Sequence, residues 1–226
     1  MVPWMNHHLY LPRPANSPSF PYLIFYAPIH SRNHLFPWFI LGGKHMVKLV
    51  PRKFFLTKGI GKSNFRLVAF ENALRAAKIE RYNLVCVSSI LPPACIEIPV
   101  DDGNAELEAG QIVHCVMSKF ESNARGEKIA ASIGIAKPGM DVHGYIAEHH
   151  VQGNSSENSD VEAQEMAAIM LATSMGLEFD ETGPFSDLKK EFLDKKNILE
   201  IKSCTARSAV KEGWTCVLAA AVFVCE

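Results

Sequence analysis

The last apolar stretch, residues 214–225, constrains the fold of this 226-residue chain more than any other segment. Its sequence, WTCVLAAAVFVC, has the residue preferences of a strand and is apolar at almost every position. Successive side chains of a strand point to opposite faces, so both faces of this strand must be covered. We therefore predict a buried strand at the centre of a sheet.

The remaining pattern is typical of antiparallel sheets. Candidate strands are separated by Gly, Asn and Pro turns with connections of hairpin length. Two segments, 64–78 and 159–175, carry an apolar stripe at helical spacing. This order of elements predicts an α+β fold of mainly antiparallel sheets flanked by helices, rather than a parallel doubly wound sheet. The other strands are predicted at 53–58, 95–100, 112–120, 128–136, 144–149 and 198–210.

Several local patterns give narrower predictions. Residues 59–61 (Gly-Ile-Gly) predict a turn, because glycine allows positive φ, and the acidic segment 101–110 predicts a polar loop. Ser159 and Glu162 have the spacing of a capping box at the start of the second helix. The methionine-containing stripe of that helix predicts core packing rather than a cofactor site. Its members are Met166, Ala167, Met170 and Leu171.

Residues 1–45 differ from the rest in composition. They hold seven of the 13 prolines, a density that interrupts any helical or strand period. The apolar patches at 22–29 and 35–40 are shorter than the roughly 20 residues that span a bilayer. A charged segment followed by one unbroken apolar run, as in a signal peptide, is missing. We predict a disordered extension or a mis-assigned start at 1–45, followed by a single domain at 46–226.

Charge and cysteine content limit the classes of partner. The net charge of −1 and the pI near 6.8 argue against nucleic acid and anionic membranes as partners. The six cysteines lack the spacing of zinc ligands, so no metal site is predicted. Most lie in apolar runs, which is typical of free thiols in a reducing cytoplasm. The expected partners are therefore small molecules and further copies of the chain.

A serine pair lies where a predicted strand meets two prolines, in the stretch 83–93 (NLVCVSSILPP). One interpretation is a strand end with two solvated hydroxyls. The other is a reactive Ser88–Ser89 peptide bond, in which the Ser89 hydroxyl attacks the Ser88 carbonyl and forms an ester. Elimination would then break the chain, and hydrolysis of the resulting dehydroalanine would release ammonia and leave a pyruvoyl group at position 89. A pyruvoyl group forms a Schiff base with an amine and acts as an electron sink.

Several segments resemble the pyruvoyl-dependent arginine decarboxylases, especially the archaeal type. They are VPRKFF at 50–55, AFENAL at 69–74, AKI at 77–79, NLVCVSSILPP at 83–93 and GYIAEHH at 144–150. The resemblance implies a four-layer αββα sandwich and self-cleavage into a small chain (46–88) and a large chain (89–226). It also implies a homotrimer, or a dimer of trimers, with active sites between neighbouring subunits.

The resemblance assigns roles to single residues. Ser88 and Ser89 flank the cleavage site, and Ser89 becomes the covalent pyruvoyl cofactor. Asn83 matches an amide that hydrogen-bonds at the pyruvoyl group, and Glu148 matches the acid that returns a proton after decarboxylation. Glu71 lies where some family members carry an aspartate that pairs with the substrate guanidinium, a group that carboxylates bind in a bidentate manner.

Each of these residues also has an ordinary structural interpretation. Asn83 is typical of a turn at a strand start, and Glu71 of a solvated helix face. Glu148 begins a polar cluster with His149 and His150, in which metal binding is disfavoured because adjacent strand residues point to opposite faces. Only their joint occurrence with the serine pair favours the catalytic roles.

The function implied by the resemblance is that of a cytoplasmic lyase converting L-arginine to agmatine and CO₂, in polyamine synthesis or acid resistance. Two alternatives stay open at this point. The same cofactor could act on another amino acid, although Glu71 favours a cationic side chain. The chain could also be an uncleaved, non-catalytic structural homologue with an inert serine pair.

Overall fold

The computed structural model describes residues 49–139, 141–178, 183–194, 198 and 200–225, so that the predictions for residues 1–45 lie outside it. The strands are β1 (Lys53–Ser63), β2 (Asn83–Cys86), β3 (Ile90–Leu91), β4 (Ile96–Glu97), β5 (Ile112–Ser122), β6 (Lys128–Lys137), β7 (Gly144–Gln152), β8 (Glu200–Ala209) and β9 (Trp214–Val224). The helices are α1 (Arg66–Ala76), α2 (Val100–Ala105), α3 (Ser159–Ser174) and α4 (Phe185–Asp194), and a 3₁₀ turn covers Gly153–Glu157.

The strands form two mainly antiparallel sheets, which confirms the predicted α+β class. The first sheet has the order β2-β5-β9-β1-β4, and the second has the order β3-β7-β6-β8. Only the outer pairs of the first sheet, β2 with β5 and β1 with β4, are parallel. Strand β9 lies at the centre of the first sheet, between β5 and β1, as its apolar sequence predicted.

The two faces of β9 contribute to different parts of the core. Leu218 and Ala220 pack with residues of α1, whereas Ala219 and Phe223 pack with residues of the second sheet. On the other side of the second sheet, β6 and β7 are covered by α3, whose Ala167 and Leu171 are fully buried. Burial of a side chain such as leucine or phenylalanine contributes about 1.5–3 kcal/mol. Both faces of β9 therefore need apolar residues.

The predicted turn at residues 59–61 is wrong, because β1 continues through it to Ser63. A Cβ atom built on Gly61 would overlap the Ala69 carbonyl oxygen and the Ala73 amide nitrogen of α1. A Cβ atom built on Gly59 would likewise overlap the Ala73 carbonyl oxygen. Glycine is needed at both positions because the backbone of α1 lies directly on β1 and leaves no room for a side chain. Short-range sequence patterns do not reveal this contact.

Gly61→Val is expected to destabilise the fold by about 1–3 kcal/mol or more, because the added side chain must displace the backbone of α1. The midpoint of urea unfolding measures this change. The matched control is Gly139→Val, since a Cβ at that position meets no atom within 4 Å. Equal midpoints for the two variants would contradict this packing of α1 on β1.

Three other local predictions are also wrong. The predicted loop at 101–110 begins with α2, which starts after Pro99 and has two aspartates in its first turn, a favourable arrangement for the helix dipole. The strand predicted at 95–100 is reduced to the two residues of β4, because the chain turns into that helix. The capping box is absent, because the N-cap is Asn158, whose side chain makes no cap bond, while Ser159 is buried with its Oγ 2.6 Å from the Ser132 Oγ.

Candidate active site

The serine pair is the crossover between the two sheets. Strand β2 belongs to the first sheet and β3 to the second, and Ser88 and Ser89 lie between them in neither strand. Before the pair, the Val87 amide donates to the Cys115 carbonyl at 2.9 Å. After it, the Ile146 amide donates to the Ser89 carbonyl at 2.8 Å. The peptide bond between the serines is therefore held at both ends by backbone pairing to different sheets.

A hydrogen-bond donor points at the carbonyl of the Ser88–Ser89 bond. The Ile90 amide donates to the Ser88 oxygen at 2.9 Å. Attack of a hydroxyl on this carbonyl would place negative charge on that oxygen, and a fixed amide donor stabilises such charge. The corner thus supplies the electrostatic element that cleavage at this bond requires.

A cleft of about 640 Å³ opens on the serine pair. Glu148 of β7 lies on one side of it, and the apolar side chains of α3 form another wall. The lining residues are Ser88, Ser89, Ala147, Glu148, Met166, Ile169 and Met170. This volume is within the range of pockets that bind small molecules. The structure therefore brings three of the predicted site residues, Ser88, Ser89 and Glu148, to one cleft.

The carboxyl group of Glu148 is partly desolvated. Its burial beside the apolar wall raises its pKa above the ordinary value, while the charge of His150 and a hydrogen bond from the Met117 backbone act in the opposite direction. The residue keeps an exposed flank, so water still reaches it. A raised pKa favours the protonated carboxyl, the form that can donate a proton.

The methionines of α3 have a role beyond the predicted core packing. Ala167 and Leu171 are buried core residues, as predicted, whereas Met166 and Met170 are only partly buried and line the cleft. Helical spacing alone could not separate these two functions, because all four residues lie on one stripe facing the second sheet. Met166 and Met170 differ from Ala167 and Leu171 in lining the same cleft as Glu148.

Asn83 and Glu71 lie away from this cleft in the same protomer. Asn83 begins β2 and donates from Nδ2 to the Gly110 carbonyl at 2.6 Å. It lines a separate groove of about 370 Å³ between α1 and β2. Glu71, on α1, forms an ion pair with Arg75 at 3.2 Å. One protomer therefore does not assemble all the predicted site residues.

The part of the chain that the structure describes contains neither a metal-binding cluster nor a membrane-spanning helix. Nowhere in it do three His, Cys, Asp or Glu residues come together in a group that could hold a metal ion. The Nε2 atom of His149 lies 2.7 Å from Glu162 but is not aligned as a hydrogen bond. In the same residues no helix combines the length and apolar composition needed to cross a membrane.

The chain is similar to known proteins over the region that contains both sheets. The family model for pyruvoyl-dependent arginine decarboxylase matches residues 53–226. The pyruvoyl-dependent arginine decarboxylase 2 of Methanosarcina mazei is 44% identical over 179 residues, which cover 78% of this chain and 98% of that protein. The pyruvoyl-dependent arginine decarboxylase of Methanococcoides burtonii is 40% identical over 179 residues (78% and 99%). The probable pyruvoyl-dependent arginine decarboxylase of Chloroherpeton thalassium is 41% identical over 178 residues (77% and 98%).

Proposed function

The chain belongs to the pyruvoyl-dependent arginine decarboxylase family, and on that premise we propose that it cleaves itself at Ser88–Ser89 and then decarboxylates L-arginine to agmatine and CO₂. The observation that carries the proposal is the shared cleft of the serine pair and Glu148. The Ile90 amide that donates to the Ser88 carbonyl supports the cleavage step. The names of the similar proteins support the substrate.

Self-cleavage uses the corner between the sheets. The Ser89 hydroxyl attacks the Ser88 carbonyl carbon, and the Ile90 amide stabilises the charge on the oxygen. The peptide C–N bond breaks, and an ester joins the Ser88 carbonyl to the Ser89 Oγ. Removal of the Ser89 α-proton expels the Ser88 carboxylate, and water then replaces the nitrogen of the remaining enamine, releasing ammonia. Position 89 becomes a pyruvoyl group at the new chain start.

The residues around position 89 fit this covalent group. Ile146 holds the residue 89 carbonyl, and β3 pairs with β7 immediately after it, so both contacts belong to the large chain. Once formed, the pyruvoyl group would supply an electrophilic ketone for the substrate amine and an electron sink for the loss of CO₂. Pro92 and Pro93 follow β3 and limit the freedom of the new terminus.

Glu148 returns the proton to the carbon that has lost CO₂. Its raised pKa keeps a larger fraction of the carboxyl protonated than in water. Met166, Ile169 and Met170 form an apolar wall beside this carboxyl, which reduces its contact with water on that side and strengthens local electrostatic interactions.

We propose that the complete site forms between protomers of a homotrimer, or of a dimer of trimers. Asn83 lines a groove separate from the serine cleft, and Glu71 on α1 does not line that cleft either, so a neighbouring copy would bring the two sets together. Large apolar side chains are exposed on α1 and β5, as at subunit interfaces; Leu67 is 77% exposed and Ile112 65%. The proposed fold is the four-layer αββα sandwich, supported by the contacts of α1 with the first sheet and of α3 with the second.

Mass spectrometry of the purified protein and an amino-acid decarboxylation assay test the function. The expected result is two chains, the larger beginning with a ketone at position 89, and release of CO₂ from L-arginine with formation of agmatine. Activity on a different amino acid in place of arginine would overturn the substrate assignment. A single intact chain without activity would overturn the catalytic proposal.

Glu71→Gln is expected to lower kcat/KM for arginine by about 10- to 100-fold, because a hydrogen bond to a charged group contributes about 1.5–3 kcal/mol. Cleavage into two chains should be unchanged. Glu80→Gln, which removes an exposed acid just after α1, is the matched control. Unaltered kcat/KM in Glu71→Gln would show that the guanidinium binds elsewhere.

A further inference from the structure

Cys86 and Cys115 lie opposite each other on neighbouring strands. They form the last register pair of the parallel strands β2 and β5. Backbone hydrogen bonds continue the pairing at both ends. The Asn83 amide donates to the Gln111 carbonyl, and the Val87 amide donates to the Cys115 carbonyl, each at 2.9 Å. Neighbouring strands are about 4.8 Å apart, and a disulfide joins residues whose Cα atoms are about 4.4–6.8 Å apart. The register therefore places the two Cα atoms within the range of separations that a disulfide bridges.

The two thiols differ in environment. Both are free, and Cys86 is exposed, whereas Cys115 is fully buried. Burial, together with contact from the Cys86 thiol, raises the pKa of Cys115 well above its ordinary value. An oxidant in solution therefore reaches Cys86 first, and Cys115 follows as the second, resolving thiol.

The proposed cleavage site separates these two cysteines. Cys86 precedes Ser88 and is the only one of the six cysteines that does so, whereas the other five follow Ser89. Strand β2 would belong to the small chain and β5 to the large chain. Any disulfide that joins the two chains must therefore use Cys86, and the strand register assigns Cys115 as its partner.

We propose that Cys86 and Cys115 form a redox-responsive disulfide that covalently joins the two chains of the cleaved enzyme. The inference rests on the proposed self-cleavage for its consequence, though not for the bond itself. The oxidant is a small-molecule disulfide of the glutathione type. The Cys86 thiolate attacks it, forms a mixed disulfide and releases one thiol. The Cys115 sulfur, after losing its proton, displaces the second thiol, so that two protein thiols become one disulfide and two small thiols are produced.

Gel electrophoresis of the full-length protein after treatment with oxidised glutathione tests this link. Without reductant, the expected result is one band at the mass of the joined chains; with reductant, two bands should appear. Cys86→Ser and Cys115→Ser should each give two bands under both conditions. Cys204→Ser, a change at a half-buried cysteine on β8, is the matched control and should behave as wild type. Two bands from oxidised wild type, or a joined band from Cys115→Ser, would overturn the proposal.

The uncleaved variant Ser89→Ala separates failure of the disulfide from failure of self-cleavage. Digestion after glutamate cuts between the two cysteines, at Glu97, Glu106 and Glu108. Peptides joined through Cys86 and Cys115 are expected after oxidation, with a loss of two hydrogen atoms in mass. Their absence would overturn the disulfide even if wild type cleaves. A single reduced band from wild type together with joined peptides would instead overturn the cleavage alone.

Discussion

Ser89→Ala is expected to yield one uncleaved chain whose decarboxylase activity is at background. The substitution removes the hydroxyl that would attack the Ser88 carbonyl, so neither the ester nor the pyruvoyl group can form. Enzymes accelerate their reactions by at least about 10⁶-fold, and loss of the electrophile should remove most of that acceleration. Mass spectrometry measures the chain length, and agmatine formation measures the activity.

Ser88→Ala is the matched control for this prediction. It removes the neighbouring hydroxyl but keeps the Ser88 carbonyl, the Ile90 amide that donates to it, and the Ser89 nucleophile. Cleavage and activity should therefore persist in Ser88→Ala. Both variants should fold, because the crossover between the sheets is fixed by backbone bonds that alanine retains. Cleavage of Ser89→Ala between the same residues would show that another group is the nucleophile.

The parts of the fold that follow from strand periodicity could be predicted from the sequence. Strand β9 had to be central because apolar side chains on both faces need cover, and the structure places it between β5 and β1. The predictions failed where a residue served a distant contact. Gly61 permits close approach of α1, and Ser159 bonds to Ser132 on β6 rather than capping its own helix. Such contacts join different elements of the fold, and the local propensity of either segment carries no information about them.

Part of the candidate site could also be predicted from the sequence. The serine pair was identified from its place between a predicted strand and two prolines, and Glu148 through the family resemblance; the structure brings them to one cleft. The amide of Ile90 was missed, because every residue except proline has a backbone donor and only the geometry shows where it points. The apolar wall of α3 was missed because Met166 and Met170 share a stripe with buried core residues.

Glu148→Gln is expected to cleave normally but to lose about 10²- to 10⁴-fold in kcat, the usual contribution of a general acid. The amide keeps the size of the side chain but has no acidic proton to give. In the wild type, the raised pKa of Glu148 means that the rate should fall as pH increases through that raised value. The amide variant should lack this pH dependence. Profiles of kcat against pH for the two proteins measure both effects.

The same ionisation affects stability with a definite sign. The folded-state pKa of Glu148 lies above the unfolded value, so the folded protein binds this proton more tightly. Its stabilising contribution is present below the unfolded pKa and is lost as pH rises through the folded pKa. Above that value, Glu148→Gln should therefore have a higher Tm than wild type.

Glu162→Gln on α3, an acid outside the cleft lining, is the matched control and should keep wild-type kcat. A pH profile that Glu148→Gln shares with wild type would assign the proton donor to another residue.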